Sequence, residues 1–329
     1  MTKYFITGGA GFIGTNFTAY IMNKYQDDLM LINMDKLTYA ANLKKLEAFK
    51  KKDNYYFIRE DIVNRDKVAA VVEEFRPDYI INFAAESHVD RSIVNPGLFL
   101  RTNILGTQSL LDAALKFNVK KFIQISTDEV YGSLGKKGTF LENDNLNPSS
   151  PYSASKAAAD LLVSSYGKTF GLAYNITRCS NNYGPWQFPE KLIPLTIKNC
   201  LENKAIPVYG DGSNVRDWIW VKDHCCAIDE VVNRGQAGEI YNIGASCEIS
   251  NIDLIKLIID EVKKQLALDD IRKDKIDADL ISYVKDRKGH DFRYALNTDK
   301  INAALAWQAK LGLREGIKKT VKWYLNNYR

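Results

Sequence analysis

Histidine and long apolar runs are both scarce in this chain of 329 residues. The three histidines form no cluster with the spacing of metal ligands, so we predict no metal site. No apolar run approaches the length of a membrane span, and we therefore expect no membrane partner.

Cysteine is scarce as well, and its distribution is informative. The five cysteines are odd in number and show no C-x-x-C spacing, unlike a disulfide framework or a thiolate zinc site. We expect a cytoplasmic enzyme whose thiols fill the core. A redox pair at Cys225 and Cys226 remains an alternative, although core packing is the simpler interpretation. Because a strand and a glycine loop directly follow Met1, we expect no signal peptide.

Neither sign of charge predominates in the sequence. The chain has 45 Lys and Arg against 40 Asp and Glu, a net charge of +5. This excess is too small and too dispersed for a nucleic-acid partner, but it is compatible with a small anionic ligand. With 46% hydrophobic and 26% charged residues, the composition is that of an ordinary globular enzyme.

The first half of the chain alternates short apolar runs with amphipathic stretches, which predicts an α/β fold with a Rossmann-type, doubly wound parallel sheet. We place a domain at residues 1–180 and a smaller C-terminal α/β substrate-binding lobe at 181–329, with about 215–245 returning to the first domain. The predicted strands are Tyr4–Thr7, Leu29–Met34, Tyr55–Ile58, Tyr79–Phe83 and Lys121–Ser126. The predicted helices are Phe12–Tyr25, Arg65–Phe75, Asn103–Phe117, Tyr152–Phe170, Ile252–Gln265 and Leu313–Asn326.

A glycine-rich loop at residues 7–14 lies between the first strand and the first helix. Its glycines satisfy G-x-G-x-x-G, the pattern that lets backbone amides approach a pyrophosphate at a helix N-terminus. Asp35 ends the second strand, where an acid would bond the ribose 2′-hydroxyl and favour NAD over NADP. The alternative is that Asp35 is only a turn residue. Because a strand, the glycine loop and a helix follow one another in this order, the pattern predicts a site for NAD.

Tyr152 and Lys156 lie one helical turn apart and so project from one face of a helix. A free phenol has a pKa of about 10, and a neighbouring ammonium would make it more acidic and thus a better base at neutral pH. Thr127, at the end of the fifth strand, is placed to share a substrate hydroxyl. The spacing Y-x-x-x-K also occurs by chance, but downstream of the glycine loop it predicts oxidation of a secondary alcohol.

Two adjacent acids, Asp128 and Glu129, directly follow Thr127. Such a pair is usually only a solvated turn. Beside an oxidising site, however, one carboxylate could remove the proton next to a new ketone while the other, protonated, donates to a departing hydroxyl. Like charges so close push their pKa values apart, which favours one acid and one base. We assign Glu129 as base and Asp128 as acid, although the sequence alone does not fix which is which.

These segments resemble the dTDP-glucose 4,6-dehydratases of the extended short-chain dehydrogenase/reductase superfamily. The similar segments are distributed over about two thirds of the chain, from residue 7 to residue 224. STDEVYG, with its double acid, is specific to the dehydratases. The similar segments are TGGAGFIG (7–14), DKLTYA (35–40), AAESHVDRSI (84–93), STDEVYG (126–132), PYSASKAAAD (151–160), SNNYGP (180–185), FPEKLIPL (188–195) and RDWIWVKDH (216–224).

The resemblance implies a redox-neutral conversion of dTDP-D-glucose to dTDP-4-dehydro-6-deoxy-D-glucose, within deoxysugar biosynthesis such as the dTDP-rhamnose pathway. The steps would be C4 oxidation, loss of water across C5 and C6, and hydride return to C6, with retained NAD. It also implies a homodimer built on Asn103–Phe117 and Tyr152–Phe170. The alternatives are a UDP- or GDP-sugar dehydratase or epimerase, or a non-catalytic NAD-binding sensor.

The resemblance also implies site residues. The catalytic residues would be Thr127, Asp128, Glu129, Tyr152 and Lys156. The cofactor-binding residues would be Gly8, Gly11, Phe12, Ile13, Gly14, Asp35, Lys36, Asp61, Ile62, Ala84, Ala85, Thr102, Tyr152, Lys156 and Asn182. The substrate-binding residues would be Ser87, Thr127, Asn181, Lys191, Leu192, Pro207, Tyr209, Arg216, Asn251, Arg287 and His290. Lys288 departs from the family, which usually has proline there.

Overall fold

The structure, a computed structural model, describes residues 1–327. The strands are β1 (Thr2–Thr7), β2 (Leu29–Met34), β3 (Tyr55–Ile58), β4 (Tyr79–Asn82), β5 (Lys121–Thr127), β6 (Tyr174–Cys179), β7 (Asn181–Tyr183), β8 (Ile206–Tyr209), β9 (Val215–Trp220), β10 (Ile240–Ile243), β11 (Glu248–Ser250) and β12 (Ile281–Val284). The helices are α1 (Phe12–Tyr25), α2 (Arg65–Phe75), α3 (Val89–Val94), α4 (Pro96–Phe99), α5 (Thr107–Lys116), α6 (Pro151–Phe170), α7 (Leu192–Glu202), α8 (Val221–Arg234), α9 (Asn251–Gln265), α10 (Asp299–Leu305) and α11 (Leu313–Asn327).

Seven parallel strands form the main sheet in the order β10-β6-β5-β4-β1-β2-β3. The strand order reverses beside β1, so the chain winds first towards one edge and then towards the other. The predicted Rossmann-type α/β fold is confirmed. In the register, Thr7 lies beside Met34 and Asn82, and Thr127 lies beside Cys179. The loops that follow these strand ends therefore meet at one edge of the sheet, where ligands bind in this architecture.

Helix α6 begins and ends at clear local signals. Ser150 and Ser153 form a reciprocal capping box, Pro151 occupies the first turn, and Gly171 ends the helix with a φ of +73°. These caps fix the register of the helix, and with it the direction in which Tyr152 and Lys156 project.

A second hydrophobic core lies in the later part of the chain. Tyr183, Trp218 and Trp220 pack with Ile255 and Val321. The sheets there are small: β11-β9-β7 and β12-β8. Helix α8 packs against α1, and β10 is the edge strand of the main sheet, next to β6.

Two differences from the predicted elements stand out. The helix expected over Asn103–Phe117 is divided, because Leu100–Gly106 is π-helical and α5 begins only at Thr107. Helices α7 and α8 were not predicted at all. Asn- and Gly-rich loops surround them, and those loops obscured their short apolar periodicity.

Within residues 1–327, no helix is long and apolar enough to cross a membrane. In the same part of the chain, no group of His, Cys, Asp and Glu residues is arranged to hold a metal ion. The five cysteines are free thiols; Cys225 is completely buried and Cys226 half-buried.

Candidate active site

A cavity of about 320 Å³ opens at the carboxyl edge of the main sheet. All fifteen predicted cofactor-binding residues lie on its wall, and so do the five predicted catalytic residues. Of the predicted substrate-binding residues, the wall includes Ser87, Thr127, Asn181 and Lys191. The rest lie beyond the wall: Leu192, Pro207, Tyr209, Arg216, Asn251, Arg287 and His290.

The glycine loop is packed too closely for side chains at most of its positions. A Cβ at Gly14 would lie 2.3 Å from the Gly8 carbonyl oxygen, and one at Gly8 would lie 2.6 Å from the Ala84 nitrogen. Gly11 is different, because a Cβ there would lie 3.3 Å from the Gly8 oxygen and within 4 Å of no other atom outside its chain neighbours and helix. Gly11 also caps α1 without a side-chain hydrogen bond, which leaves the first amides of the helix available to a phosphate.

Asp35 is held in place by backbone amides. Its carboxylate accepts hydrogen bonds from the nitrogens of Ala10 at 2.9 Å and Leu37 at 2.8 Å. Burial raises the pKa of Asp35, and these two amides oppose that rise. The neighbouring Lys36 bridges Asp61 and Glu86, at 3.7 and 3.5 Å. The cavity thus has an acid, Asp35, held in one position after β2, and a cation, Lys36, whose charge is balanced by two carboxylates. This arrangement fits a ribose without a 2′-phosphate.

The Tyr152/Lys156 pair differs from expectation in one respect. The phenol was expected to have a lowered pKa, but burial, followed by the charge of Glu129, raises the pKa of Tyr152 well above its usual value. The Lys156 ammonium donates a hydrogen bond to the Ile125 carbonyl at 2.6 Å. Burial is the larger effect because both side chains lie deep in the cavity wall. A hydrogen bond with Thr127 opposes it.

The two acids have unequal surroundings. Asp128 is 2% exposed, and burial together with the charge of Glu129 raises its pKa well above the usual range. Burial also raises the pKa of Glu129, but the charges of Arg216, Lys191 and Arg287 oppose that rise. These surroundings therefore favour the protonated form more strongly for Asp128 than for Glu129. Both carboxyls belong to the cavity wall rather than to a solvated turn.

The cations near Glu129 are anchored by other groups. Arg216 donates to the Asp291 carbonyl at 2.8 Å, and its guanidinium lies 4.3 Å from the ring centroid of Tyr294. Arg287 forms an ion pair with Asp90 at 2.7 Å and lies 4.9 Å from the ring of Tyr209. These contacts fix the direction of both guanidinium groups.

Sequence reasoning missed several residues of the wall, among them Cys179, Glu86 and Glu190. Cys179 ends β6 beside Thr127, so the rule that ligands bind at strand ends would have found it. Burial raises the pKa of its thiol to about 12. His224 was also missed. It is completely buried and bonds the Asn182 side-chain oxygen at 2.8 Å, and no local signal predicts that long-range contact.

The fold and the site together define an enzyme of the extended short-chain dehydrogenase/reductase class. The sequence model of the GDP-mannose 4,6-dehydratase family matches residues 5–320. A dTDP-glucose 4,6-dehydratase of Escherichia coli K12 and a probable one of Sinorhizobium fredii are each 46% identical to the chain, over 99% of this chain and 93% of theirs.

Solved structures give the same result. A dTDP-glucose 4,6-dehydratase of Streptomyces venezuelae with NAD and TYD bound has a TM-score of 0.92 and 41% identity, covering 99% of this chain and 98% of its own. The UDP-glucose 4-epimerase of Thermotoga maritima has a TM-score of 0.88 but 27% identity, covering 100% of both chains. The chain belongs to the dTDP-glucose 4,6-dehydratase family.

Proposed function

We propose that the protein converts dTDP-D-glucose to dTDP-4-dehydro-6-deoxy-D-glucose, with NAD as a retained cofactor. The observation that carries this proposal is the placement of Asp128 and Glu129 on the same cavity wall as Tyr152 and Lys156. An oxidation site without the two acids would suit a dehydrogenase or an epimerase. With them, the site has the groups that an elimination of water requires.

The roles follow from the surroundings of each side chain. Tyr152 takes the proton of the C4 hydroxyl, and its hydrogen bond with Thr127 favours the phenolate against the effect of burial. Lys156, one turn along α6, would add a positive charge on the same helix face. Glu129 then removes the C5 proton, because three cations favour its ionised form. Asp128 stays protonated and donates to the departing C6 hydroxyl. Bound NAD supplies the hydride acceptor and, after reduction, the donor.

The binding roles are proposals of the same kind. The fifteen cofactor residues would hold NAD along the glycine loop and Asp35. Lys191, Arg216 and Arg287 would hold the diphosphate, since a doubly charged group needs several cations and the three already influence Glu129. The nucleoside would lie against the smaller lobe, at residues such as Leu192, Pro207, Tyr209, Asn251 and His290.

We further propose that residues 1–180, with about 215–245, form the cofactor domain and that the rest of 181–329 forms the substrate lobe. The position of β10 in the main sheet and the packing of α8 on α1 support this division. Strand β9, by contrast, pairs with β7 and β11, so the return to the cofactor domain would begin at α8 rather than at residue 215. The cytoplasm would be the compartment and the dTDP-rhamnose pathway one consumer of the product.

A homodimer is proposed on the helices beside the active site. Leu98, Leu105 and Leu161 lie on α4, the π-helical segment and α6, and they are 39%, 51% and 62% exposed. α6 contacts α4, the π-helical segment and α5, so the exposed leucines belong to one packed group of helices. Such a set of exposed large apolar side chains favours association with a second copy.

The test is incubation of the purified protein with dTDP-, UDP- and GDP-glucose, followed by mass spectrometry. We expect loss of one water from the dTDP sugar, and much less from the other two. The main alternative is a UDP-sugar epimerase, because the fold is also similar to that of the Thermotoga maritima enzyme. Formation of an epimer from UDP-glucose, which leaves the mass unchanged and is identified by nuclear magnetic resonance, would overturn the proposal in favour of that alternative.

A further inference from the structure

An ion pair joins α3 to the loop that follows β12. Asp90 lies in the first turn of α3, directly after β4 of the main sheet, whereas Arg287 follows a strand of the small sheet β12-β8. Nε of Arg287 lies 2.7 Å from Oδ1 of Asp90, and Nη2 donates a hydrogen bond to Oδ2 at 2.9 Å. Such a two-point contact fixes the plane of a guanidinium as well as its position.

The ring of Tyr209 lies close to the same guanidinium. Tyr209 ends β8 and lies beside Val284 of β12, so the two strands end together. The Arg287 guanidinium is 4.9 Å from the ring centroid of Tyr209, and the Tyr209 hydroxyl is 3.5 Å from Oδ2 of Asp90. The cation is therefore held by a ring of its own sheet and by a carboxylate from another part of the chain.

The acid next to Arg287 in the sequence has different partners. Asp286 accepts a hydrogen bond from the backbone nitrogen of Arg287 at 2.7 Å, and the same carboxylate oxygen lies 2.7 Å from Nδ1 of His290. Asp286 therefore fixes the backbone of this loop, whereas Asp90 fixes the direction of the Arg287 guanidinium.

Asp90 occupies only one edge of the guanidinium. An arginine has N–H donors on more than one edge, and the contacts with Asp90 use Nε and Nη2. Nη1 lies on the other edge, where it can donate to a phosphate oxygen. The ion pair thus orients the arginine without using up the donors that an anionic ligand needs.

The negative charge of Asp90 opposes the binding of a phosphate less than its geometry favours it. The Asp90 side chain is 36% exposed, so water and salt screen its repulsion of a phosphate. Screening does not alter the geometry of the pair. An arginine without a fixed partner would instead lose its rotamer freedom at the moment when it binds the ligand.

We propose that Asp90 is a positioning residue that orients Arg287 to bind the diphosphate of the nucleotide sugar. This inference rests on the binding role proposed above for Arg287. It adds that a residue after β4, which acts through Arg287, sets the affinity of the site for the diphosphate.

The test compares the affinities of the holoenzyme for dTDP and for thymidine by isothermal titration calorimetry. Asp90→Asn replaces one of the two acceptor oxygens by a donor and removes the charge, so Arg287 must be ordered when the ligand binds. We expect dTDP to bind about tenfold more weakly, which is the cost of ordering one long side chain, while the affinity for thymidine stays unchanged. A purely structural role would weaken both ligands alike.

A double-mutant cycle tests whether Asp90 acts through Arg287. Arg287→Gln should itself weaken the binding of dTDP, and Asp90→Asn should cause no further loss in that background. Asp270→Asn is the matched control, because it breaks another aspartate–arginine pair, with Arg272, outside the cavity wall. This control should leave both affinities unchanged.

A loss that is selective for dTDP and absent in the Arg287→Gln background supports the inference. Unchanged or tighter binding of dTDP by Asp90→Asn, an equal loss for thymidine, or an additive double variant overturns it. Because Asp90 also lies in the first turn of α3, folding is checked by circular dichroism. If Asp90→Asn does not fold, Asp90→Glu decides, since it keeps the charge but moves the carboxylate by one methylene; a wild-type ratio of the two affinities then overturns the inference.

Failure of the proposed function gives a different result. A wild-type protein that binds dTDP but does not dehydrate dTDP-glucose refutes the proposed function, because the binding comparison requires no turnover. An Arg287→Gln variant with wild-type affinity for dTDP refutes the binding role of Arg287, and it overturns the inference about Asp90 with it.

Discussion

Asp128 and Glu129 are adjacent in sequence, yet each has its own surroundings. Asp128 is buried beside another acid, whereas Glu129 faces three cations.

We predict that Glu129→Gln still reduces bound NAD with substrate but forms product about 10²–10⁴-fold more slowly, as expected for loss of a general base. Stopped-flow absorbance and product mass measure the two steps separately. Loss of the first step as well would argue against this role, and exposed Asp211→Asn serves as the control.

The glycine loop allows a matched pair of single substitutions. Gly14→Ala places a Cβ 2.3 Å from a backbone oxygen, and relief of that overlap should cost about 1–3 kcal/mol of unfolding free energy. Gly11→Ala meets only a contact at 3.3 Å, so it should fold normally and lose NAD affinity instead. Thermal unfolding and NAD titration measure both. Equal destabilisation by the two variants would contradict this account of the loop.

His224 gives the protein a specific sensitivity to acid. Burial lowers its pKa to about 3, whereas an unfolded chain has a histidine pKa of about 6.5. Between these values the unfolded chain binds a proton that the folded chain does not, so stability falls as pH is lowered. From pH 7 to pH 5 this loss is about 2 kcal/mol.

His224→Asn keeps a donor at the Nδ1 position and removes the titration. Urea unfolding at the two pH values should therefore show a loss for the wild type that exceeds that of the variant by about 2 kcal/mol. An equal loss in both proteins would mean that His224 is not buried as a neutral ring.

The single residues found by sequence reasoning share one property: each lies in a short, local pattern. Gly14, Asp35, Tyr152 and the two acids were recognisable for that reason. The pairing of His224 with Asn182 and of Asp160 with Arg178 joins residues far apart in sequence. No local pattern in the sequence shows which distant residues pair. The lowered pKa expected for Tyr152 was wrong because the spacing of residues does not show how deeply the phenol is buried.

At the scale of elements, the π-helical segment Leu100–Gly106 orients one side of the site. Within it, the Asn103 side chain accepts from the Glu86 nitrogen at 2.9 Å and donates to Ser155 Oγ at 2.8 Å and to the Glu86 carbonyl. Ser155 lies next to Lys156 on α6. The segment thus connects the loop after β4 with α6, and π-helical turns are frequent at functional sites.

Asn103→Ala should leave buried polar groups without partners and cost about 2–3 kcal/mol of unfolding free energy. Because Glu86 and α6 both contribute to the cavity, NAD affinity should fall as well. Urea unfolding and NAD titration check the two effects, with exposed Arg101→Ala as control. Wild-type stability of Asn103→Ala would refute the role of this segment.

Strands β6 to β12 and helices α3, α4, α7, α8 and α10 were not predicted from the sequence. Strands β1 to β5 and helices α1, α2, α5, α6, α9 and α11 were predictable from their caps or apolar patterns. The π-helical segment was not, because its hydrogen bonds depend on Asn103 and on neighbours that only the tertiary structure supplies.

At the scale of the whole molecule, the exposed leucines predict the proposed association of two copies. Leu161→Glu should convert a dimer to a monomer in sedimentation velocity, since it places a charge among the exposed apolar side chains of α4 and α6. The matched control is Leu268→Glu, at a residue 94% exposed in the later part of the chain, which should leave the dimer unchanged. A dimer that survives Leu161→Glu would place the interface elsewhere.

The whole account depends on oxidation of the sugar preceding the loss of water. The most direct measurement uses dTDP-glucose with deuterium at C4 and locates the label in the product by nuclear magnetic resonance. If Tyr152 and Lys156 serve oxidation while Asp128 and Glu129 serve elimination, the deuterium should be recovered at C6 of the same molecule. Deuterium that remains at C4 of a dehydrated product, or that is lost entirely to solvent, would contradict this order of events.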